Sequence, residues 1–445
     1  MTINIPDYAK KAIEILSQNG YKAYAVGGCI RDSLLGKNPH DWDICTDCHP
    51  DEMKIIFNKY RTIETGLKHG TLTVMINSQL IEITTFRSDG EYENHRKPAQ
   101  VEFVDSLSED LKRRDFTINA MCSNNGSEII DLFGGQEDLK HGVIKCVGNA
   151  DERFEEDALR ILRGLRFAST LDFDIDIDTK KAMYNKMHLL RCISAERICA
   201  ELKKLLCGRA ADRILLENRD IIAVIIPEIR SCFDFKQNNP HHCYDVWRHI
   251  VKSLSFVRPE PIMRITMLLH DIEKPKMATV DENGISHFKK HQFESAKTAR
   301  KILKRLKLDK HSTEYISNLI WEHDNRIPAQ MQSVKRFVSK HDFRFMFDYL
   351  EVRRADTYAQ SDYKRKEKLH ELDELARLTI ELMEENCCLK IADLAVNGND
   401  IMSLGFSGKE IGDWLDKLLQ QVIDGTLANE REALLSFIRE NKNAQ

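Results

Sequence analysis

Up to about residue 145 the chain alternates short apolar runs with turn residues, and from about residue 150 onward apolar residues recur every three or four positions to the end. A period of two marks strands with one face buried, and a period near 3.6 marks amphipathic helices. The first stretch predicts strands at Ala23-Tyr24-Ala25-Val26, Thr71 to Ile76 and Leu80 to Phe86. The whole pattern predicts an α+β head followed by a long helical remainder. Turn-forming clusters at Cys207-Gly208-Arg209, Phe235 to Pro240 and Asn397-Gly398-Asn399-Asp400 suggest breaks within that remainder. No internal repeat or low-complexity segment interrupts it.

A chain of 445 residues exceeds what one ordinary core organises, so several consecutive domains are expected. Hydrophobic residues at 42% and charged residues at 31% fit a globular protein rich in exposed helices. The longest apolar run, Ile221 to Ile226, falls far short of the ~20 residues that cross a bilayer, so no membrane partner is expected. The N-terminus lacks the basic-then-apolar layout of a secretory signal, which points to the cytoplasm and to reduced thiols for the 12 cysteines. Cys45-Thr46-Asp47-Cys48-His49 has the spacing of covalent haem attachment, but without an export signal and directly behind Asp41 and Asp43 it is read as structural. A net charge of -4 excludes a uniformly basic protein; local clusters such as Lys112-Arg113-Arg114 leave room for a nucleic-acid partner.

Gly27-Gly28 occupies a strand-to-helix turn, followed by Arg31-Asp32. Glycines there let backbone N–H groups approach an anion, and Arg31 adds a bidentate grip on phosphate. Asp41 and Asp43 lie two apart and so project from one face of an extended segment. Two adjacent carboxylates repel unless a cation sits between them, and oxygen ligands beside a phosphate grip suit Mg²⁺. Glu82, alternating with Ile81 and Ile83, is a candidate third carboxylate.

The run Ala-Val-Gly-Gly-Cys-Ile-Arg-Asp, then Asp41-Trp42-Asp43, Ile81 to Arg87, Arg113-Arg114-Asp115-Phe116-Thr117-Ile118-Asn119-Ala120 and Asp131-Leu132-Phe133-Gly134-Gly135 resembles the bacterial tRNA nucleotidyltransferase/poly(A) polymerase family. The resemblance extends more loosely over essentially the whole chain. It implies a nucleotidyltransferase head of the DNA polymerase beta type with a mixed sheet, then an elongated all-α neck, body and tail. It also implies template-independent addition of C, C and A to the 3′ end of tRNA from CTP and ATP, with pyrophosphate released and Asp41 and Asp43 as the catalytic, Mg²⁺-binding pair. On this basis the domains are a head over 1–145, a base-recognising neck over 146–232, a body over 233–345 and a tRNA-binding tail over 346–445.

The segment Glu156 to Phe167 opens the helical part, with Asp157, Arg160, Arg163 and Arg166 three residues apart on one helix face. Cytosine and adenine both present an amino donor beside a ring-nitrogen acceptor, whereas uracil and guanine present a carbonyl beside an N–H. A carboxylate only accepts and a guanidinium only donates, so Asp157 and Arg160 together match C and A. The resemblance makes these two the base readers and places Arg163, Arg166, Gly28, Arg31 and Arg114 around the nucleotide. In the family a loop between head strands serves the switch from C to A; Arg87 to Pro98 is a loop of that type.

Downstream, His249, His270-Asp271 and Asp324 form a set of helix-borne ligands that resembles the HD phosphohydrolase domain, with His291 a further candidate. Glu273 stands where glycine is usual after His-Asp-Ile. This resemblance implies a second divalent metal held by His249, His270, Asp271 and Asp324. The tail from Val396 resembles HD-bearing members, where it helps hold the tRNA elbow while the acceptor stem reaches the head. The alternatives are A-only addition or polyadenylation, an HD-type phosphohydrolase acting on phosphate or cyclic-phosphate ends, and a non-catalytic RNA scaffold, which would need neither carboxylate pair.

Overall fold

A computed structural model describes residues 2–442 apart from 90–91, 94–96, 99–100 and 386. The chain divides into two compact units, residues 1–228 with 305–308, and residues 229–304 with 309–445.

The first unit carries a seven-stranded mixed sheet made of β1 (Ala23–Val26), β2 (Asp43–Thr46), β3 (Arg61–Ile63), β4 (Thr71–Ile76), β5 (Gln79–Thr85), β6 (Met121–Ser123) and β7 (Ile130–Asp131). Its strand order is β7-β6-β1-β2-β5-β4-β3, with β2 and β5 the parallel pair and every other neighbour antiparallel. In β4 the alternation Thr-Leu-Thr-Val-Met-Ile buries Leu72, Val74 and Ile76. Asn77 and Ser78 both take positive φ between Ile76 and its partner Gln79, the backbone of a two-residue hairpin whose twist matches its strands. Helix α1 (Asp7–Gln18) buries Ala9, Ala12, Ile13 and Leu16, one stripe of a 3.6-residue period. Helix α2 (Gly28–Leu34) leaves β1 through Gly27, whose φ of 84° and ψ of -127° favour glycine, and helix α3 (Pro50–Ile56) follows β2.

The head is thus α+β as expected, and the strands predicted at Ala23–Val26 and Thr71–Ile76 have those bounds. The loop read at Arg87 to Pro98 lies largely outside the described residues; Arg87–Asp89, from which it springs, pairs with Val101–Phe103.

One sequence expectation is altered. Residues 156–167 are not one helix: α4 (Ala150–Glu156) ends, Asp157 is extended with φ -138° and ψ 99°, and α5 (Leu159–Leu171) begins. Asp157 therefore precedes the helix face that carries Arg160, Arg163 and Arg166. Its Oδ1 accepts the Leu159 N–H at 3.1 Å, which is why the break falls there: a carboxylate two residues upstream satisfies a donor left over at the start of the helix.

Cys207-Gly208-Arg209 ends helix α6 (Ala195–Leu206) inside the first unit. A Cβ on Gly208 would lie 2.1 Å from Ser169 Oγ and 2.6 Å from the Ser169 carbonyl carbon. Gly208→Ala is expected to cost roughly 1–3 kcal/mol of stability through this overpacking, read as a lower urea midpoint at unchanged slope.

In the second unit helices α7 (Val246–Leu254), α8 (Pro261–Leu269), α9 (His291–Arg305), α10 (Lys310–Glu322) and α11 (Phe343–Tyr358) gather around buried polar residues, with a separate apolar cluster formed by the last three helices of the chain. The earlier of those three starts at Asn397, whose side chain accepts the N–H groups of Asn399 and Asp400.

Candidate active site

Asp41, just before β2, and Asp43, its first residue, both open to solvent while Trp42 between them is buried. Asp43 pairs in register with Val26 on one side and with Glu82 on the other, so the parallel β2/β5 contact brings the third carboxylate beside the second. Although one edge of Asp43 meets solvent, the protein atoms crowded round its carboxyl strip away much of its hydration, and this, then Glu82 and Asp41, push it up to about 6 against the opposing pull of Arg114. Three crowded carboxylates, with the proton affinity of Asp43 raised among them, form a set of hard oxygen donors for a divalent cation.

Beside them a cleft of about 620 Å³ is lined by Gly27, Gly28, Arg31, Asp43, Arg114, Asp157, Arg160, Arg163 and Arg166 among others. The structure thus brings together every nucleotide-binding residue expected from sequence. The charged side chains among them are held by neighbours. Arg31 Nη1 donates to Asn119 Oδ1 at 2.6 Å, and its other nitrogens pair with Asp32. Asp115 takes Arg163 Nε at 2.7 Å, and that guanidinium holds the Asp115 carboxyl down at about 2 despite its burial. Glu201 pairs with Arg166 Nε at 2.9 Å. Arg160 donates to Glu156 at 2.5 Å and to the Arg113 carbonyl at 2.9 Å, while both Asp157 oxygens accept from Arg197, at 2.6 and 3.3 Å. Phe167 stacks under this group, with the guanidinium carbons of Arg166, Arg31 and Arg163 at 4.0, 5.1 and 5.5 Å from its ring.

Sequence reasoning singled out neither Arg197 nor Glu201. The available signal was an Arg and a Glu four residues apart on α6, with Glu201 set among the buried Ile198, Leu202 and Leu205 of its apolar stripe.

The second unit holds another polar centre. His249, His270, Asp271 and Asp356 have ligand atoms within 4.8 Å of one another, as do Asp271, His291 and His323, so Asp271 is common to both sets. His249 Nε2 lies 3.1 Å from Asp271 and 3.0 Å from Asp356; His291 Nε2 lies 3.0 Å from the other Asp271 oxygen. The Nδ1 atoms face backbone carbonyls: Ala359 for His249, Met267 for His270, Phe288 for His291 and Ile320 for His323. With each Nδ1–H donated there, all four Nε2 lone pairs turn towards the carboxylates. Such a convergence of imidazoles and carboxylates, with the Lys274 ammonium 2.5 Å from Asp271 at its edge, fits a bound divalent cation.

Asp324 is not part of this group. His323 takes the inward position at the end of α10, and Asp324 turns out to a half-exposed place 3.7 Å from Arg353; Asp356 on α11 stands where Asp324 was expected. Glu273 is accommodated away from the ligands, accepting from Thr298 and Lys276.

The described helices include none long and apolar enough to cross a membrane. Comparison with known proteins agrees with this geometry. A model described as "Poly A polymerase head domain" matches residues 23–145, "Probable RNA and SrmB- binding site of polymerase A" matches 172–233, and one for domain 2 of tRNA nucleotidyltransferases matches 289–438. The chain is 33% identical to the CCA-adding enzyme of Enterococcus faecalis, over 99% of this chain and 98% of that enzyme. It is 34% identical to that of Streptococcus thermophilus over 98% of each. A 45% identical match to the CCA-adding enzyme of Ligilactobacillus salivarius spans 56% of this chain and 65% of that one. The crystal structure of the Bacillus stearothermophilus CCA-adding enzyme in complex with CTP superposes with a TM-score of 0.72 at 29% identity, over 98% of this chain and 97% of that one. Matched along nearly their whole length to relatives one-third identical, these 445 residues belong to the family of the CCA-adding enzymes, tRNA nucleotidyltransferases with a poly(A)-polymerase-type head.

Proposed function

We propose that this protein adds C, C and A in turn to the 3′ end of tRNA, taking CTP and ATP and releasing pyrophosphate, with Asp41 and Asp43 as its catalytic carboxylates, Glu82 beside them and Mg²⁺ as the ion. The observation that carries this reading is Asp43, with Glu82 and Asp41 beside it, on the wall of an arginine-lined cleft that also holds Asp157 and Arg160. Gly28, Arg31 and Arg114 grip the triphosphate through backbone N–H groups and guanidinium forks, and Arg163 and Arg166 neutralise charge around it. Asp157 and Arg160 offer the acceptor and donor that cytosine and adenine complement. A divalent cation between the carboxylates supplies neutralisation at the α-phosphate and the leaving pyrophosphate. The chain's own task is to hold the 3′-hydroxyl and α-phosphate in line. The head 1–145, neck 146–232, body 233–345 and tail 346–445 belong to this reading, with the tail on the tRNA elbow and the enzyme at work in the cytoplasm.

The test supplies tRNA lacking its 3′ end, ending in C or ending in CC, with CTP and ATP separately and together. Labelled C on the truncated substrate is expected. Its absence, with A still added to the CC end, would leave A-only addition.

A second reading rests on the buried imidazoles of the other unit. His249, His270, Asp271 and Asp356, with His291 and His323, form an HD-type metal centre that hydrolyses phosphate or cyclic-phosphate ends. The full chain, dialysed against metal-free buffer, is expected to retain about one to two transition-metal ions by elemental analysis. Asp271→Asn, which weakens the ligand common to both sets, should lower that content at least ~10-fold. A wild-type chain without metal sinks the reading.

A further inference from the structure

Eight arginines against three carboxylates line the cleft of the first unit, and arginines so crowded need anions to aim them. Asp110 is the most deeply buried of those anions. It sits in the short helix Leu107–Lys112, with a side chain wholly removed from solvent, yet it does not line the cleft. Its Oδ1 accepts Arg113 Nη2 at 2.7 Å and Nε at 3.0 Å, and its Oδ2 accepts Arg114 Nη2 at 3.2 Å. The Arg87 N–H, at the root of the loop strand, also points to Oδ1 at 3.4 Å.

What these bonds hold is the working surface. With Arg114 Nη2 tied back to Asp110, its Nη1 lies over the glycine turn, 3.1 Å from where a Cβ on Gly27 would stand. The Arg113 side chain ends at Asp110 while its backbone carbonyl accepts Arg160 Nη2 at 2.9 Å. One carboxylate therefore steadies the arginine above the phosphate turn and, through a single backbone carbonyl, Arg160, which also donates to Glu156.

Arg114 shares its cleft wall with another anion: Asp43 lines the same cleft and pairs in register with Val26, the residue before the Gly27 over which Arg114 Nη1 lies. A guanidinium released from Asp110 would find in Asp43 an opposite charge on that wall, and once seated there it would occupy the place of a cation.

We propose that Asp110 is a positioning residue that keeps Arg114 on the anion-binding side of the cleft and off the metal-binding carboxylates, so that triphosphate and cation are held together. It rests on the reading of the cleft as a nucleotide site. Asp110 touches neither substrate nor metal. Its sequence signature is Asp-x-x-Arg-Arg, which places both arginines on the carboxylate's side of one helical turn.

The test uses the full chain without tRNA, so that nothing turns over. CTP binding is measured by calorimetry, Mn²⁺ binding by paramagnetic resonance, and folding by thermal melting. Wild-type chain that binds no CTP overturns the nucleotide-site reading itself. Given binding by the wild type, Asp110→Asn is expected to weaken both CTP and Mn²⁺ about tenfold, as loss of a charge-assisted pair does, and Asp110→Glu, which keeps the charge but displaces it, about threefold. Asp110→Asn chain that melts earlier yet binds both probes within twofold of wild type shows a merely structural carboxylate and overturns the inference. Should Asp110→Asn not fold, Asp110→Glu decides alone: wild-type constants for both probes overturn it, and the paired loss supports it. Loss of CTP affinity with Mn²⁺ unchanged also overturns it, because the separation of Arg114 from Asp43 is then not what Asp110 provides.

Discussion

Asp43→Ala is expected to abolish nucleotide addition, lowering kcat/KM by about 10³-fold or more, because on the proposed reading it removes one of the three carboxylates that would hold a cation against the triphosphate. Single-turnover addition of labelled C to truncated tRNA measures it. Near-normal addition would show that the reacting phosphate lies elsewhere. The same residue gives a pH signature. Its carboxyl is raised to about 6 by loss of hydration and by Glu82 and Asp41, so in the metal-free chain holding the charge costs more than in the unfolded chain. A raised folded-state value means that this contribution to stability is present below the ordinary carboxylate range and is lost as pH rises through about 6. Metal-free Asp43→Asn should consequently melt above wild type at pH 7.5, and the difference should shrink towards zero near pH 4. Cation binding runs the other way: proton and metal compete for Asp43, so the apparent affinity for Mg²⁺ should fall on acidification below about 6.

The head was legible because its strands obey period two and its chemistry lies in short runs. Asp41 and Asp43 are two apart, and the register of β2 on β5 brings Glu82 beside Asp43, a pairing that alternation around Ile81 and Ile83 already suggested. What stayed hidden depends on partners far apart in the chain. Arg197 reaches Asp157 across 40 residues, and Asp110 is a buried charge in a helix too short to show a period. The helix break at Asp157 was invisible because the three-residue spacing of Asp157, Arg160, Arg163 and Arg166 continues smoothly through it, while the backbone does not. Asp324 misled for a related reason. It adjoins His323 as Asp271 adjoins His270, but the chain turns differently after each histidine, and the carboxylate that completes the cluster comes 32 residues later, from Asp356 on another helix.

Asp157→Ala is expected to remove base choice as well as rate: addition of C and A falls about 10²-fold, and the preference for CTP over UTP falls by about 10² or more. The break in the helix is what makes the effect large. Were Asp157 simply the first residue of a continuous face, its side chain would have several rotamers and its loss would resemble that of one surface ion pair. Instead it is extended, with one oxygen capping Leu159 and both oxygens drawn to Arg197, so its remaining lone pairs have a fixed direction. Arg160 is fixed too, by Glu156 and the Arg113 carbonyl. An acceptor and a donor set in advance leave uracil no way to satisfy both, since it offers a carbonyl where cytosine offers an amino group. A mismatched base then strands a buried polar group, and that penalty disappears with the carboxylate. Single additions with each of the four nucleotides to truncated tRNA measure the ratio. If Asp157→Ala still rejects UTP as wild type does, selection lies with the shape of the cleft rather than with its hydrogen bonds. Arg197→Lys separates the two contributions. It keeps the charge that stabilises Asp157 but loses the fork that orients it, so CTP/UTP selectivity should fall by more than the rate of C addition.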